Sequence, residues 1–212
     1  MRLSTALPAK EKKMVELPLV EDVINAVIGS EIELPCLLAI WMSYSMSEVR
    51  GIKASAIDEK GYITIKDVIV DVDGKPVSKS KTKAFARTRK SKLPEYLFNL
   101  IKNQETYKRA KETGTDEYLI TLTGKGIYNR FLTIQKAAGL PHTRFHDLRH
   151  MNASVMLKLN IPDKYAMERG GWITSHTLKK VYQHTFSDER KVIDDRIDSY
   201  FENIINPTEE ES

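Results

Sequence analysis

The residues best suited to chemistry lie in three short segments in the second half of the chain. Residues 144–150 read Arg-Phe-His-Asp-Leu-Arg-His, residues 170–172 read Gly-Gly-Trp, and residues 182–184 read Tyr-Gln-His. His146 and Arg149 are three residues apart, so on a helix both side chains face the same way. With a tyrosine hydroxyl added, such a set can hold a phosphodiester and attack it.

Cleaving a phosphodiester without a metal or a nucleotide requires a nucleophile, cations for the non-bridging oxygens, an acid for the leaving oxygen and an in-line geometry. A guanidinium such as that of Arg149 matches phosphate oxygens and stays charged at any relevant pH. The imidazole of His146 can donate a hydrogen bond or assist proton transfer. Trp172 offers one donor and no acceptor. No cofactor is needed for this chemistry.

Each of these residues also has an ordinary structural explanation when it is taken alone. His146 could cap a helix, Tyr182 could pack in a core, and Trp172 could fill a hollow beneath a turn. His146 and His150 are spaced for zinc, but no glutamate follows His146 and no third ligand is evident, so we predict no metal site. The joint pattern, rather than any one residue, carries the functional interpretation.

A basic stretch runs from residue 79 to residue 92, although the net charge is only +4. A block of one sign is either a solvated loop or a surface with salt-sensitive affinity for a phosphate backbone. Acidic residues gather instead near the C-terminus. Together with Arg144, the predicted DNA-binding residues are Lys79, Lys81, Arg87, Arg89, Lys90 and Lys92, and the stretch also contains Lys83.

The elements that position these residues are mainly helices. Apolar residues have helical spacing from Val20 to Ile28, and a second apolar helix follows Pro35. Between residues 55 and 72 the period changes to that of strands, and Asp73-Gly74 is a turn signal. We therefore predict a mainly α protein with a small antiparallel β-sheet (α+β), with the basic stretch in its last hairpin.

Helical patterns return after Pro94. The predicted helices cover residues around 97–101, around 127–134 with a stop at 139–141, from near His146 to residue 160, a short segment after Pro162, and residues 188–205. We predict a lead-in at 1–18, one domain at 19–206 and a disordered acidic tail at 207–212.

The bulk features fit an ordinary globular protein. The longest apolar run, from Leu34 to Met42, is far shorter than the roughly 20 residues that span a bilayer, so we predict no membrane association. A secretory signal is not evident. Cys36 stands alone and cannot form an internal disulfide, which favours a reducing cytoplasm.

In order and spacing, the His-Asp-Leu-Arg-His, Gly-Gly-Trp and Tyr-Gln-His motifs resemble the tyrosine recombinase, or phage integrase, family from about residue 20 to residue 200. The resemblance implies the catalytic-domain fold of that family and DNA strand transfer through a 3'-phosphotyrosyl bond and a free 5'-hydroxyl. It implies Tyr182 as the nucleophile, Arg149 as the phosphate clamp, and His146 and Trp172 as further phosphate ligands. Trp172 stands where many members carry histidine and some carry tryptophan.

The same resemblance assigns two further roles. A hairpin lysine protonates the leaving 5'-oxygen, and registering Arg89 and the following Leu-Pro on the family pattern selects Lys83, although Lys81 also fits. Glu48 matches the acidic residue that buttresses the histidine and the arginine of the site.

One position departs from the family pattern, because Ser45 stands where the first catalytic arginine belongs. Arg50 lies on another helical face and does not replace it. A hydroxyl cannot neutralise the charge of the transition state, and losing one such donor costs on the order of a hundred- to a thousandfold in rate. We therefore expect the chain to bind DNA but to cleave it poorly or not at all, whether Ser45 is natural or introduced.

The resemblance also implies partners. We expect double-stranded DNA as substrate and a tetramer formed through the C-terminal helix, with Tyr200, Phe201 and Ile204 at the contact. The family usually has an additional N-terminal DNA-binding domain, so we expect this chain to be a fragment of a longer integrase. The Arg-Gly-Gly-Trp and Val-Tyr-Gln-His-Thr motifs favour integration and excision of phage or mobile-element DNA over chromosome-dimer resolution. The expected setting is therefore the cytoplasm of a bacterial or phage-infected cell.

Three other functions remain open from the sequence. A non-catalytic DNA-binding module of the same fold is favoured by Ser45 and opposed by the intact Tyr182, Arg149 and His146. A type IB topoisomerase shares the nucleophile chemistry and would relax supercoiled plasmid without site preference. A helical protein-interaction domain would bind DNA too weakly to show a steep salt dependence.

Overall fold

A computed structural model of the chain describes residues 18–80, 89–172, 175, 198–199 and 201. Eight helices are assigned within these residues: α1 Val20–Val27, α2 Glu33–Met42, α3 Met46–Arg50, α4 Glu95–Lys102, α5 Glu105–Thr113, α6 Gly124–Ala137, α7 Asp147–Lys158 and α8 Asp163–Gly170. The strands are β1 Tyr62–Ile65, β2 Asp67–Val72, β3 Lys75–Ser80 and β4 Arg89–Lys92. The mainly α fold with a small antiparallel sheet is thus as predicted.

Helix α2 is the centre of the core. It is apolar on all sides, and every residue from Glu33 to Met42 except Trp41 is buried. Helices α1, α3, α4 and α7 pack against it. Pro35 lies in its first turn rather than before its start, because the first turn needs no donor from that nitrogen.

The strands form two antiparallel pairs. Strand β1 pairs with β4, and β2 pairs with β3. The predicted turn at Asp73-Gly74 joins β2 to β3, and both residues have the positive φ that a tight hairpin turn requires. The prediction that the basic stretch forms the last hairpin was wrong for its described ends, because β3 and β4 pair with other strands and not with each other.

The alternation of β4 separates its side chains into two sets. Arg89 and Ser91 are half-buried on the face that looks inward, whereas Lys90 and Lys92 are exposed. Successive side chains of a strand point to opposite faces, so the short strand carries one pair of residues toward the helices and the other to solvent.

The helices near the motifs begin and end where the sequence predicts. Helix α7 starts directly after His146, and α6 is followed by Gly139 at φ 66°. Helix α8 follows Pro162 and ends at Gly170, with Gly171 at φ 65°. Glycine adopts this left-handed conformation without a steric penalty, so it ends a helix cleanly.

Helix α5 was not predicted. Its sequence is strongly polar and only Tyr107 and Ala110 are buried, so it has too few apolar positions for a periodicity to be seen. Most of the predicted last helix lies outside the described residues, apart from helical residues 198–199 and 201. In the part of the chain that is described, no helix is long and apolar enough to cross a membrane.

Candidate active site

The carboxylate of Glu48 joins two arginines from distant parts of the chain. Its Oε2 accepts a hydrogen bond from Nη1 of Arg149 at 3.1 Å, and its Oε1 accepts one from Nη2 of Arg89 at 2.9 Å. The side chains of Glu48, Arg149 and Arg89 are only 7, 11 and 10% exposed. The three groups therefore form a largely buried ionic cluster between α3, α7 and β4.

Ser45 fixes the position of Glu48 through a capping box. Ser45 is the N-cap of α3: its Oγ accepts from the backbone N–H of Glu48, and its own backbone N–H donates to Oε2 of Glu48 at 2.7 Å. The hydroxyl also donates to that oxygen at 2.8 Å. A serine three residues before a glutamate is the sequence signature of this motif. The residue at the expected arginine position thus has a structural role.

Backbone carbonyls at the end of α8 hold the outer edges of both guanidiniums. Nη2 of Arg149 donates to the carbonyl of Gly170 at 2.9 Å, and Nη1 of Arg89 donates to the carbonyl of Arg169 at 2.8 Å. The last carbonyls of a helix lack partners within the helix and carry partial negative charge, so they favour cations.

The two glycines before Trp172 are required by close approach. A Cβ on Gly170 would lie 2.5 Å from the Trp172 ring, and a Cβ on Gly171 would lie 2.9 Å from the side chain of Arg89. Trp172 in turn has its ring centroid 5.8 Å from the guanidinium carbon of Arg149. The Gly-Gly-Trp motif therefore borders the ionic cluster, and we call the cluster together with Gly171 and Trp172 the pocket.

His146 is an exposed residue three positions before Arg149. It is the residue before α7, its side chain is exposed, and its ring meets that of His150 edge to face with centroids 5.0 Å apart. Partial burial, followed by the nearby positive charge of Arg149, lowers the pKa of His146 below its ordinary value of 6.5. At neutral pH the ring is uncharged, so it can donate from one nitrogen and accept on the other.

The cluster carries surplus positive charge. Two guanidiniums share one carboxylate, and burial together with the neighbouring Arg89 lowers the pKa of Arg149, opposed by Glu48. Among the described residues, the buried Nε of Arg149 has no hydrogen-bond partner. A buried donor without a partner on one of two neighbouring guanidiniums is the arrangement expected of a site that receives an anion.

The structure brings together four of the predicted catalytic positions: Ser45 binds Glu48, Glu48 binds Arg149, and Arg149 lies beside the ring of Trp172. His146 is close enough to Arg149 to feel its charge. Tyr182 and Lys83 lie outside the described residues.

Arg50 lies apart from the pocket. It forms a two-pronged ion pair with Asp71 at 2.9 and 3.0 Å, in keeping with the expectation that it does not replace the missing arginine.

The predicted DNA-binding residues separate into groups. Arg89 lies in the pocket instead of on the surface, and no local sequence pattern indicates this because its partner Glu48 lies 41 residues away. Lys90 and Lys92 lie over the ring of Tyr62 on the other face, with ammonium nitrogens 5.0 Å from its centroid. Lys79 is exposed, and Arg144 is exposed and paired with Asp147. Lys81 and Arg87 lie outside the described residues.

Comparison with known families identifies the chain. The model of the phage integrase family matches residues 12–189. The match covers most of the sequence, so the chain belongs to the phage integrase family.

A curated relative and several solved structures are similar to this chain. An integrase from Saccharopolyspora erythraea is 36% identical over 131 residues, and the match covers 56% of this chain and 30% of that protein. The chain thus spans less than a third of that relative.

The Tn1549 transposon integrase in complex with transposon right end DNA has a TM-score of 0.68 at 16% identity, covering 89% of this chain and 68% of that one. XerA recombinase has a TM-score of 0.59 at 13% identity, covering 87% and 67%. At these identities the likeness establishes the fold.

Proposed function

We propose that this chain performs site-specific DNA recombination, the integration and excision of phage or mobile-element DNA, by cutting and rejoining strands through a phosphotyrosine. The observation that carries the proposal is the buried cluster in which Arg149 and Arg89 share Glu48 while Nε of Arg149 lacks a partner among the described residues. A scissile phosphate would supply the missing acceptor. Family membership supports the same chemistry.

In the proposed reaction, the phenolic oxygen of Tyr182 attacks the scissile phosphorus as its proton passes to a base, a role that the neutral ring of His146 can take. The bond from phosphorus to the 5'-oxygen breaks, and that oxygen takes up a proton. The products are a 3'-phosphotyrosyl ester and a free 5'-hydroxyl. The ester retains the energy of the broken bond, so attack by a 5'-hydroxyl rejoins a strand and releases the tyrosine without a cofactor.

The described residues would act on the phosphate. Arg149 would bind a non-bridging oxygen through Nε, and the ring nitrogen of Trp172 would donate to the same phosphate. The neutral ring of His146 would donate to the phosphate or assist proton transfer. We propose Lys83, with Lys81 as the alternative, as the acid that protonates the leaving 5'-oxygen.

The remaining assignments are proposals of the same kind. Residues 19–206 would form the catalytic domain, with double-stranded DNA as substrate. Residues 188–205, which include Tyr200, Phe201 and Ile204, would link neighbouring copies in a tetramer on DNA. The side chain of Phe201 is 58% exposed, as such a contact requires before assembly.

The test uses a pool of nicked duplexes of random sequence, because the target site is unknown. Cleavage close to the nick releases a short fragment that diffuses away, which traps the covalent adduct. DNA that stays attached to the chain after boiling in detergent is amplified and sequenced. We expect low adduct yield from the unaltered chain and at least a tenfold higher yield from Ser45→Arg, with one sequence motif enriched in both.

Matched tyrosine variants decide the role of Tyr182. Tyr182→Phe removes only the hydroxyl and should abolish the adduct, whereas Tyr165→Phe, at an exposed tyrosine of α8, should not change it. If neither the unaltered chain nor Ser45→Arg forms an adduct, the chain is a DNA-binding module without cleavage activity, the function that Ser45 favours. Adducts without an enriched motif, together with plasmid relaxation, would indicate a topoisomerase.

A further inference from the structure

We propose that Arg89 is the second phosphate-binding guanidinium of this chain and compensates in part for the arginine that is missing at Ser45. The inference rests on the proposed function and adds a catalytic residue to it. Arg89 comes from β4, so the cation enters the pocket from the small sheet instead of from α3.

The position of Arg89 supports a role in phosphate binding. Arg89 and Arg149 bind the two oxygens of the same carboxylate, at 2.9 and 3.1 Å. Ser45, at the position of the missing arginine, binds Oε2 of that carboxylate as well. Arg89 therefore binds the same carboxylate, that of Glu48, as the residues at the two arginine positions of the family pattern, Ser45 and Arg149.

The pocket is built around Arg89. The guanidinium carbon lies 4.9 Å from the centroid of the fully buried Tyr44 ring, and Nη1 is held by the carbonyl of Arg169. Gly171 leaves the space that the side chain of Arg89 fills. A surface lysine or arginine that contacts a DNA backbone does not require a ring beneath it, a helix end beside it and a missing Cβ opposite it.

Arg89 and Arg149 both have N–H groups that no described residue accepts a hydrogen bond from. A guanidinium has five N–H groups, and among the described residues Arg89 uses one at Glu48 and one at Arg169. Arg149 likewise uses two and keeps its buried Nε–H without a partner. The remaining donors of both residues can bind one tetrahedral anion, because Glu48 holds the two guanidiniums next to each other.

Other cationic side chains of the described residues are less suited to bind a phosphate together with Arg149. Arg50 is bound to Asp71 by both of its terminal nitrogens. Lys90 and Lys92 extend from the opposite face of β4. Arg144 is paired with Asp147 and is exposed. Arg169 donates its Nη2 to the carbonyl of Trp41. Arg89 is the arginine that shares Glu48 with Arg149 within the described part of the chain.

A direct test needs no DNA. Sodium tungstate, a tetrahedral dianion that resembles phosphate, is titrated into the isotope-labelled chain at constant ionic strength, and the Nε–H signals of Arg89 and Arg149 are followed by NMR. We expect both signals to move along one binding curve. Movement of the Arg149 signal alone, or of neither signal, would overturn the proposal.

Variants give the size of the effect. Arg89→Gln should raise the Kd for tungstate at least tenfold, and Arg89→Lys should raise it less because a charge remains. The control Arg109→Gln removes an exposed guanidinium that is paired with Glu117, and it should leave the Kd unchanged. An unaltered Kd in Arg89→Gln would also overturn the proposal. Thermal unfolding of each variant shows whether it is folded.

The covalent assay then separates a phosphate ligand from a structural residue. A methylphosphonate at the scissile position lacks one charged oxygen, so a guanidinium that neutralises this charge becomes less important. We expect Arg89→Gln to lose at least tenfold more activity on the phosphodiester than on the methylphosphonate, and Ser45→Arg to restore activity to Arg89→Gln. Equal losses on both substrates would show a structural role. If the unaltered chain forms no adduct, the proposed function fails, while the tungstate titration still decides the role of Arg89.

Discussion

At the scale of single residues, Glu48 controls the pocket because its one negative charge is shared by two buried guanidiniums. Glu48→Gln should lower the free energy of unfolding by about 3 kcal/mol, since it leaves buried charges without their partner. Urea unfolding measures the change. The exposed pair of Glu31 and Arg130 is the control, and Glu31→Gln should leave the unfolding midpoint unchanged. A similar midpoint for Glu48→Gln would mean that the cluster contributes little to folding.

His146 provides a prediction about pH at the same scale. Burial and Arg149 lower its folded-state pKa, so its NMR titration midpoint should lie below 6.5 and should rise when tungstate binds beside it. Because the unfolded chain takes up this proton more readily than the folded chain, stability should fall as the pH drops below about 6.5. His146→Gln should weaken that decline. A midpoint above 6.5 in the free chain would contradict the account.

Motif spacing predicted Glu48, Arg149 and Trp172 at one site because the family pattern fixes which residues meet. It did not predict that Arg89 would join them, since the pairing of a strand and the path of its side chain into a pocket depend on contacts across 41 residues of sequence. The role of Ser45 could have been predicted from its spacing to Glu48.

At the scale of secondary structure, Gly171 joins the end of α8 to the pocket, and it can be compared with Gly139. Both have nearly the same positive φ, 65° and 66°, but a Cβ on Gly139 meets nothing within 4 Å, whereas one on Gly171 meets Arg89 at 2.9 Å. Gly139→Ala should cost about 1 kcal/mol of backbone strain and leave adduct formation unchanged. Gly171→Ala should cost more and should reduce adduct yield and tungstate affinity at least tenfold. Equal adduct yield and equal tungstate affinity in the two variants would show that Arg89 is not part of the site.

Helix α3 provides a second test at this scale, because Ser45 is its N-cap. Ser45→Arg should lower the free energy of unfolding by about 1 kcal/mol through loss of the cap, while it raises cleavage. Thermal unfolding and adduct yield, measured on the same preparation, show whether stability falls as cleavage rises. An arginine variant that is both more stable and more active would contradict the structural role of the serine.

The helices were predicted well where one face is apolar, as in α1, α4 and α6. Helix α5 was missed because a polar helix has almost no apolar period to read. The pairing of β1 with β4 was missed because it joins strands separated by the β2–β3 hairpin, and local patterns do not encode partners so far apart.

At the scale of the whole molecule, the proposed activity requires attraction to a phosphate backbone. The logarithm of the DNA-binding constant should fall linearly with the logarithm of salt concentration, and Arg144→Gln should reduce the steepness by about 0.9 if that residue contacts one phosphate. Lys108, already paired with Glu105 on α5, is the control, and Lys108→Gln should not change the slope. A slope unaffected by Arg144→Gln would take this residue out of the interface.

The most direct test of the account is to locate the bond between protein and DNA. Adducts from the Ser45→Arg chain are digested with nuclease and protease, and the peptides are sequenced by mass spectrometry. We expect a nucleotide joined through its 3'-phosphate to Tyr182. A nucleotide on another residue, or a 5'-phosphate linkage to Tyr182, would contradict the account.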